Sequence, residues 1–152
     1  MRTALSFLCI ALLAGCAPSA STTKTSISPP SMQEVSDTYG YSQTVRVGST
    51  IWVSGQAGFG PEGIPENVED QARLAFQNLQ LVLEAAGATL DDIVEMTTYH
   101  TSMTELAGFM SIKSEVIQAP YPAWTAVEVA GLAEPALKVE IKATAVIGSG
   151  AR

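Results

Sequence analysis

Cationic side chains are scarce in this chain of 152 residues. Eight Lys and Arg stand against fifteen Asp and Glu, which gives a formal net charge of −7. Proteins that bind nucleic acids neutralise the phosphates with clustered Lys and Arg. The sequence contains no such cluster, so we expect neither a nucleic acid nor another polyanion as a partner.

Cysteine and histidine are scarcer still. The two cysteines, Cys9 and Cys16, both lie near the N-terminus, and His100 is the only histidine. A zinc site usually needs about three or four ligands of these types, and a catalytic histidine acts on a neighbouring nucleophile. We therefore interpret His100 as a structural strand residue and expect no metal site.

The chain also lacks an apolar run that could span a bilayer, which takes about 20 residues. The N-terminal segment is apolar over residues 4–13, follows the single charge of Arg2, and ends in small residues before Cys16. This pattern predicts a cleaved signal sequence over residues 1–15. Its end resembles a bacterial lipobox, which implies that Cys16 is lipidated. The alternative is an ordinary secretory signal that is cut after small residues.

A lipid on Cys16 would hold the chain at the bacterial cell envelope. Ala17 in the next position resembles the sorting signal of enterobacterial outer-membrane lipoproteins, which implies a protein that faces the periplasm and contacts the membrane through its lipid anchor only. Residues 16–35 are rich in Ser, Thr and Pro and predict a flexible tether, because they bury too little apolar surface to offset chain entropy. The folded domain is therefore expected over residues 36–148.

The remaining sequence shows the periodicities of one α+β domain. Residues 121–131 and 137–146 alternate apolar and polar side chains with period two, which predicts two strands that belong to one sheet. Further elements are predicted as strands over residues 41–47, 50–55 and 93–100 and as helices over residues 67–87 and 104–118. Along the chain, the predicted elements follow the order β-β-α-β-α-β-β. This order is typical of a mixed sheet with two helices on one face.

The helix over residues 67–87 has the strongest pattern. Asn67 is suited to cap its N-terminus, and Gly87 is suited to end it. Its apolar residues recur at three and four positions and form one stripe: Val68, Ala72, Ala75, Leu79, Val82 and Ala86.

Glu140 is the strand carboxylate with the most chemical interest. It shares one strand face with Lys138 and Lys142, so one interpretation is a solvated carboxylate between two lysines. The other is that this face, if helices do not cover it, packs against copies of the same chain. Glu140 would then lie in a cleft between subunits and could orient a water molecule.

Several motifs in order resemble one known family. Tyr41-Ser42-Gln43, Ser54-Gly55-Gln56, the helical residues 78–87 and the segment 121–131 together are similar to the RidA (YjgF) family of small imine deaminases. The resemblance implies a chorismate-mutase-like subunit of the bacillary type. It also implies a homotrimer around a central β-barrel, with a small-molecule ligand in clefts at the subunit interfaces.

The resemblance also implies roles for individual residues. Glu140 would activate a water molecule for attack on an imine or enamine, and no cofactor would be needed. Tyr41, Ser54 and Gly55 would line the pocket, and the backbone at Ala126 would hold one end of the ligand. A carboxylate within hydrogen-bond reach of a water is a competent general base for this addition.

Two positions depart from the family pattern. Trp124 stands where the family has the arginine that binds the substrate carboxylate, and Met110 stands in place of an asparagine. An indole has one N–H and no charge, so it cannot replace a bidentate guanidinium. Trp124 either fills the vacated volume and stabilises the subunit interface, or its ring recognises a different ligand such as a cationic imine, an aromatic ring or a sugar.

The sequence therefore leaves two functions open. The first is a hydrolase of the imine deaminase type with an altered substrate. The second is a non-catalytic trimer that binds a small molecule and is tethered to the envelope. A third possibility, ribonuclease activity, is attached to some relatives, and the acidic charge and missing basic track speak against it.

Overall fold

The computed structural model describes residues 22–150. The predicted signal sequence over residues 1–15 and the predicted lipidation site Cys16 lie outside the described residues. The strands are β1 (Thr25–Ile27), β2 (Thr44–Val47), β3 (Thr50–Ala57), β4 (Ile93–His100), β5 (Ala123–Glu128) and β6 (Val139–Val146). The helices are α1 (Gln33–Tyr39), α2 (Val68–Ala85) and α3 (Leu106–Val116), with short 3-10 turns at Pro30–Met32, Leu90–Asp92 and Met103–Glu105.

The six strands form one mixed sheet in the order β1-β2-β3-β6-β4-β5. Only β4 and β5 run parallel, and the other neighbours are antiparallel. The two C-terminal strands therefore share a sheet, as predicted, but β4 lies between them and they are not a hydrogen-bonded pair. The long connection through α3 carries the chain from β4 to the outer edge, where β5 is the terminal strand.

Helix α2 provides most of the core. Asn67 caps it by accepting a hydrogen bond on its side chain from the Asp70 N–H at 2.8 Å, and Gly87 adopts a φ of 84° just beyond its end. Every residue of the predicted apolar stripe is buried. The stripe packs on alternate side chains of the sheet, and Phe76 of α2 stacks on Phe109 of α3 with ring centroids 5.8 Å apart.

The N-terminal boundary differs from the expected one. Part of the expected tether is ordered, because β1 pairs with β2 in the register Thr25↔Arg46 to Ile27↔Thr44, and α1 follows it. The Thr44 hydroxyl also donates to the Ile27 carbonyl at 2.9 Å. Backbone pairing holds this segment, which a prediction from low apolar content does not consider. The folded part therefore begins before residue 36.

Within residues 22–150, neither α2 nor α3 covers the other face of the sheet. Along β6, the residues Val139, Ile141, Ala143 and Ala145 are buried toward the helices, so Glu140 and Lys142 point to the uncovered face. Trp52 on β3 also lies on this face and is 45% exposed. Within residues 22–150, no helix has both the length and the apolarity that a membrane span requires.

Candidate active site

A cavity of about 540 Å³ adjoins β3 and β6 on the uncovered side of the sheet. Four of the predicted site residues line it together: Tyr41, Ser54, Gly55 and Glu140. The other described residues of the wall come from the end of β3, from α1 and from loops: Val35, Tyr39, Ala57, Phe59, Ile64, Ala133, Glu134 and Leu137. One chain thus brings together residues that lie as much as a hundred positions apart.

Glu140 is a half-buried carboxylate without a cationic partner among the described residues. Neither ion pair found within residues 22–150 involves it. Lys138, one of the two lysines expected beside it, instead pairs with Glu105 at 2.5 Å. Burial raises the pKa of the Glu140 carboxyl above its ordinary value, because the charged form loses solvation. A raised pKa makes this carboxylate a stronger base than an exposed one.

Gly55 allows the Glu140 side chain to take this position. A Cβ atom on residue 55 would lie 2.5 Å from Cδ and 2.9 Å from Cγ of Glu140, and closer still to Oε1. Side-chain atoms do not approach so closely, so only glycine leaves room for the carboxylate. The close approach of the Glu140 side chain therefore explains why a glycine stands at the centre of the motif Ser54-Gly55-Gln56.

Tyr41 is oriented by two buried glutamines. Gln43 Nε2 donates to the Tyr41 hydroxyl oxygen at 2.7 Å, and Gln56 Nε2 donates to Gln43 Oε1 at 3.0 Å. Both glutamines are 3% exposed. Because Tyr41 accepts the hydrogen bond from Gln43, its own O–H remains able to donate to a ligand.

Ser54 joins the same arrangement from β3. Its hydroxyl donates to the Ser42 carbonyl at 2.7 Å, and its N–H donates to the Gln43 carbonyl at 2.9 Å. These bonds fix the segment after α1 against β3. The two glutamines of the predicted motifs thus position the tyrosine and are not themselves part of the cavity wall.

Trp124 lies elsewhere. In the β4–β5 register it stands beside Met96, which is fully buried, so its ring is on the helix side of the sheet. Its Nε1–H donates to the Thr98 hydroxyl at 3.0 Å, its ring lies 6.2 Å from Phe109, and the Lys113 ammonium stands 4.4 Å above it. Within one chain, Trp124 therefore packs against the core and does not line the cavity with Glu140.

Met110 and Ala126 are also absent from the cavity wall. Met110 is 47% exposed on α3, and Ala126 lies on the terminal strand β5 beside Thr98. The predicted site residues thus form two groups. One surrounds Glu140, and the other, composed of Trp124, Met110 and Ala126, is near α3 and β5.

His100 is a strand residue, as predicted. It is 1% exposed, its Nε2 is 2.8 Å from the Thr98 hydroxyl, and its ring meets Phe109 edge to face. Its Nδ1 has no hydrogen-bond partner within residues 22–150. Burial lowers the pKa of His100, so the neutral ring is the folded form. Among the described residues, no group of three or more His, Cys, Asp or Glu could hold a metal ion.

Sequence reasoning missed the part of the cavity that α1 and the loops supply. Val35 and Tyr39 lie in or beside the segment that was interpreted as a tether, and Glu134 lies in a loop without periodicity. The tyrosine two positions before Tyr41 was the available signal, since a second aromatic residue beside a site motif is a candidate for the same wall.

Known proteins resemble this chain in sequence and in fold. The family model described as Endoribonuclease L-PSP matches residues 32–147. The RutC family protein YjgH of Escherichia coli strain K12 is 41% identical over 113 residues, which cover 72% of this chain and 86% of YjgH. The 2-iminobutanoate/2-iminopropanoate deaminase of Dermatophagoides farinae is 36% identical over 110 residues, which cover 70% of this chain and 85% of that protein.

The fold of this chain also matches that of a solved structure. The crystal structure of Rv2704 from Mycobacterium tuberculosis, a member of the YjgF/YER057c/UK114 family, matches with a TM-score of 0.72 and 30% identity over 82% of this chain and 100% of that chain. The likeness confirms the predicted α+β fold of the chorismate-mutase-like type. This chain belongs to the Endoribonuclease L-PSP family, which includes the YjgF, RidA and RutC proteins.

Proposed function

We propose that this protein hydrolyses an imine or enamine to a carbonyl compound and ammonia, with Glu140 as the general base. The observation that carries the proposal is a half-buried carboxylate without a cationic partner in a cavity of about 540 Å³. Its raised pKa supports the proposal, because groups with perturbed pKa values concentrate at functional sites. The relative from Dermatophagoides farinae is named as a deaminase of this kind.

The reaction adds water across a carbon–nitrogen double bond. Glu140 accepts a proton from water as the water oxygen bonds to the carbon of the protonated imine, and the C=N electron pair moves to nitrogen. The carboxyl returns this proton to the nitrogen. The C–N bond then breaks as the hydroxyl becomes a carbonyl, and ammonia leaves with the hydroxyl proton as ammonium. The Tyr41 O–H is free to donate to the developing hydroxyl.

The substrate differs from that of relatives that use an arginine at the position of Trp124. Charge-assisted hydrogen bonds contribute about 1.5–3 kcal/mol each, and a loss of about 3 kcal/mol lowers transition-state binding roughly a hundredfold. Trp124 packs on Phe109 and donates to Thr98, so it provides no such bond. We therefore propose weak activity on 2-iminobutanoate and 2-iminopropanoate.

The direct test measures ammonia release from imines that an amino acid oxidase generates in the assay. Wild type should accelerate the release, and Glu140→Gln should lower that acceleration by a factor of about 10²–10⁴, the usual contribution of a general base. Glu62→Gln is the matched control, because Glu62 is exposed on a loop and does not line the cavity. Equal rates for wild type and Glu140→Gln would refute the proposal.

The non-catalytic alternative has one observation in its favour, which is that Trp124, Met110 and Ala126 do not meet Glu140 within one chain. In that case the protein would bind a small molecule in the cavity and release it unchanged. Saturable binding together with ammonia release equal to the uncatalysed rate would establish this alternative.

We also propose a homotrimer with the uncovered sheet face at its centre, so that each cleft lies at a subunit interface. The exposed Trp52 and the uncovered strand face support this proposal. Light scattering of wild type should give three times the subunit mass. Trp52→Glu should lower the measured mass, because an isolated charge is costly at an apolar contact. A monomeric wild type would contradict the proposal.

We infer from the sequence that Cys16 carries a lipid and that the protein faces the periplasm from the outer membrane. Wild type should partition into the detergent phase of a phase-separating detergent, and Cys16→Ser should remain in the aqueous phase. Identical partitioning of the two proteins would contradict the inference.

A further inference from the structure

We propose that the cavity around Glu140 selects protonated imines that carry an apolar or aromatic group and no carboxylate. The proposal concerns the ligand of the same cavity and rests on the proposed function. It depends on the charges of the wall, on its aromatic side chains and on the contribution of α1.

The charged side chains that residues 22–150 of one chain contribute to the cavity wall are both acidic. Glu134 and Glu140 line it, and the twelve described residues of this wall include no Lys, Arg or His. The nearby Lys138 is engaged elsewhere, since it pairs with Glu105. Lys142 is exposed, lies further along β6 and does not line the cavity. A carboxylate ligand would be repelled by both glutamates, whereas a protonated imine would be attracted by them.

Aromatic side chains form the rim of this wall. Tyr39, Tyr41 and Phe59 line the cavity and remain 76%, 39% and 48% exposed. Aromatic faces attract cations and also pack against apolar and aromatic groups. Val35 and Leu137 add aliphatic surface. The wall thus offers contacts for a hydrophobic substituent beside the carboxylates that would hold the iminium nitrogen.

Helix α1 is held firmly enough to act as part of the wall. Ser36, between Val35 and the end of the helix, is 3% exposed, and its hydroxyl donates to the Met32 carbonyl at 3.0 Å. Gln43 Nε2 donates to the Ser36 hydroxyl oxygen at 3.3 Å. The same buried glutamine that orients Tyr41 therefore also connects to α1, so that Tyr39 and Tyr41 have linked positions.

A matched pair of substrates tests the proposal. Amine oxidase converts 2-phenylethylamine to an imine without a carboxylate, and amino acid oxidase converts phenylalanine to the corresponding imino acid. The two imines share the phenyl group and differ in the carboxylate. In each case, the protonated imine and water give a carbonyl compound and ammonium. We expect kcat/KM to favour the carboxylate-free imine by about tenfold or more, since a tenfold preference corresponds to one modest charge interaction.

Variants identify the source of the preference. Glu134→Gln should lower the preference about threefold, the size of an exposed ion pair. Tyr39→Ala should raise KM for both imines without changing kcat, because it removes contacts with the shared phenyl group. Glu62→Gln should leave the preference unchanged. Equal or faster hydrolysis of the imino acid by wild type would overturn the proposal.

Binding of unreactive ligands separates this proposal from the proposed function. Titration of wild type and Glu140→Gln with 2-phenylethylamine and with 3-phenylpropanoate, followed by NMR chemical shifts, reports selectivity without catalysis. Tighter binding of the amine to wild type supports the proposal even if neither imine is hydrolysed. Tighter or equal binding of 3-phenylpropanoate, or no binding of either ligand, overturns it even if imines are hydrolysed.

Discussion

The substitution Gly55→Ala tests whether the position of the Glu140 carboxylate matters. The added Cβ would lie 2.5 Å from Cδ and 2.9 Å from Cγ of Glu140, whereas ordinary contacts of a Cβ lie at 3.4–4 Å. The carboxyl group must therefore move by about 1 Å. Since it ends a flexible side chain, the movement should cost roughly 1 kcal/mol of unfolding free energy, the price of an off-rotamer torsion.

The effect on hydrolysis should be much larger than the effect on stability. A misplacement of about 1 Å at a reacting centre can lower a rate about 10²-fold. We therefore expect kcat/KM for the preferred imine to fall about a hundredfold, which is about 2.7 kcal/mol of transition-state stabilisation. Urea denaturation of the same protein measures the stability change, and the coupled ammonia assay measures the rate.

The control is Gly131→Ala, because a Cβ at Gly131 meets no atom within 4 Å. This variant should keep the wild-type rate and stability. A rate of Gly55→Ala within about threefold of wild type would refute this prediction. It would mean that the Glu140 carboxylate does not act from the position that the structure gives it.

Three further predictions concern stability. Gly58→Ala should lower the unfolding free energy by about 1–3 kcal/mol in urea denaturation, because its Cβ would lie 2.5 Å from the Cα of Gln71, a backbone atom that cannot turn away. An unchanged value would contradict the close approach of Gly58, the residue after β3, to α2. Trp124→Phe should cost about 1 kcal/mol through loss of the hydrogen bond to Thr98, and a stabilised variant would show that this bond contributes nothing. Burial lowers the pKa of His100 in the folded protein, so the unfolded chain takes up a proton on this residue first as pH falls below about 6.5. Wild type should therefore lose more stability between pH 7.5 and pH 5 than His100→Gln. Equal losses would contradict the buried neutral ring.

The sequence predicted much of the local structure and did not predict the order of the strands in the sheet. The apolar stripe of α2 and its cap at Asn67 carry a helical period that depends on the helix alone. The alternation over β5 and β6 likewise predicted strands, but a period of two says nothing about which strands are neighbours, so the intervening β4 was not foreseen. The pairing of β1 with β2 was missed because backbone hydrogen bonds leave no trace in composition.

The residues of the candidate site were likewise predicted only in part. Tyr41, Ser54, Gly55 and Glu140 were predicted from motifs, and the structure places all four on one cavity. The face of Trp124 could not be predicted, because a period of two does not say which side of the sheet α3 covers, and the buried side of β5 depends on packing against α3. Glu134 was missed because its place on the cavity wall depends on tertiary structure and not on any spacing along the chain.

The features around Glu140 are better explained by catalysis or binding than by stability. A carboxyl whose pKa is raised in the folded state disfavours folding as pH rises above the unfolded value, so stability alone would favour an apolar residue or a cationic partner at this position. Gly55, which lacks a side chain where the carboxylate approaches, adds backbone entropy to the unfolded chain. The buried Gln43 is directed at the Tyr41 hydroxyl and leaves its proton available. Neither the raised pKa of Glu140 nor the glycine at position 55 strengthens the fold. These two features and the oriented Tyr41 meet at one cavity, and they supply a base, room for its carboxylate and a hydrogen-bond donor, which the hydrolysis of an imine requires.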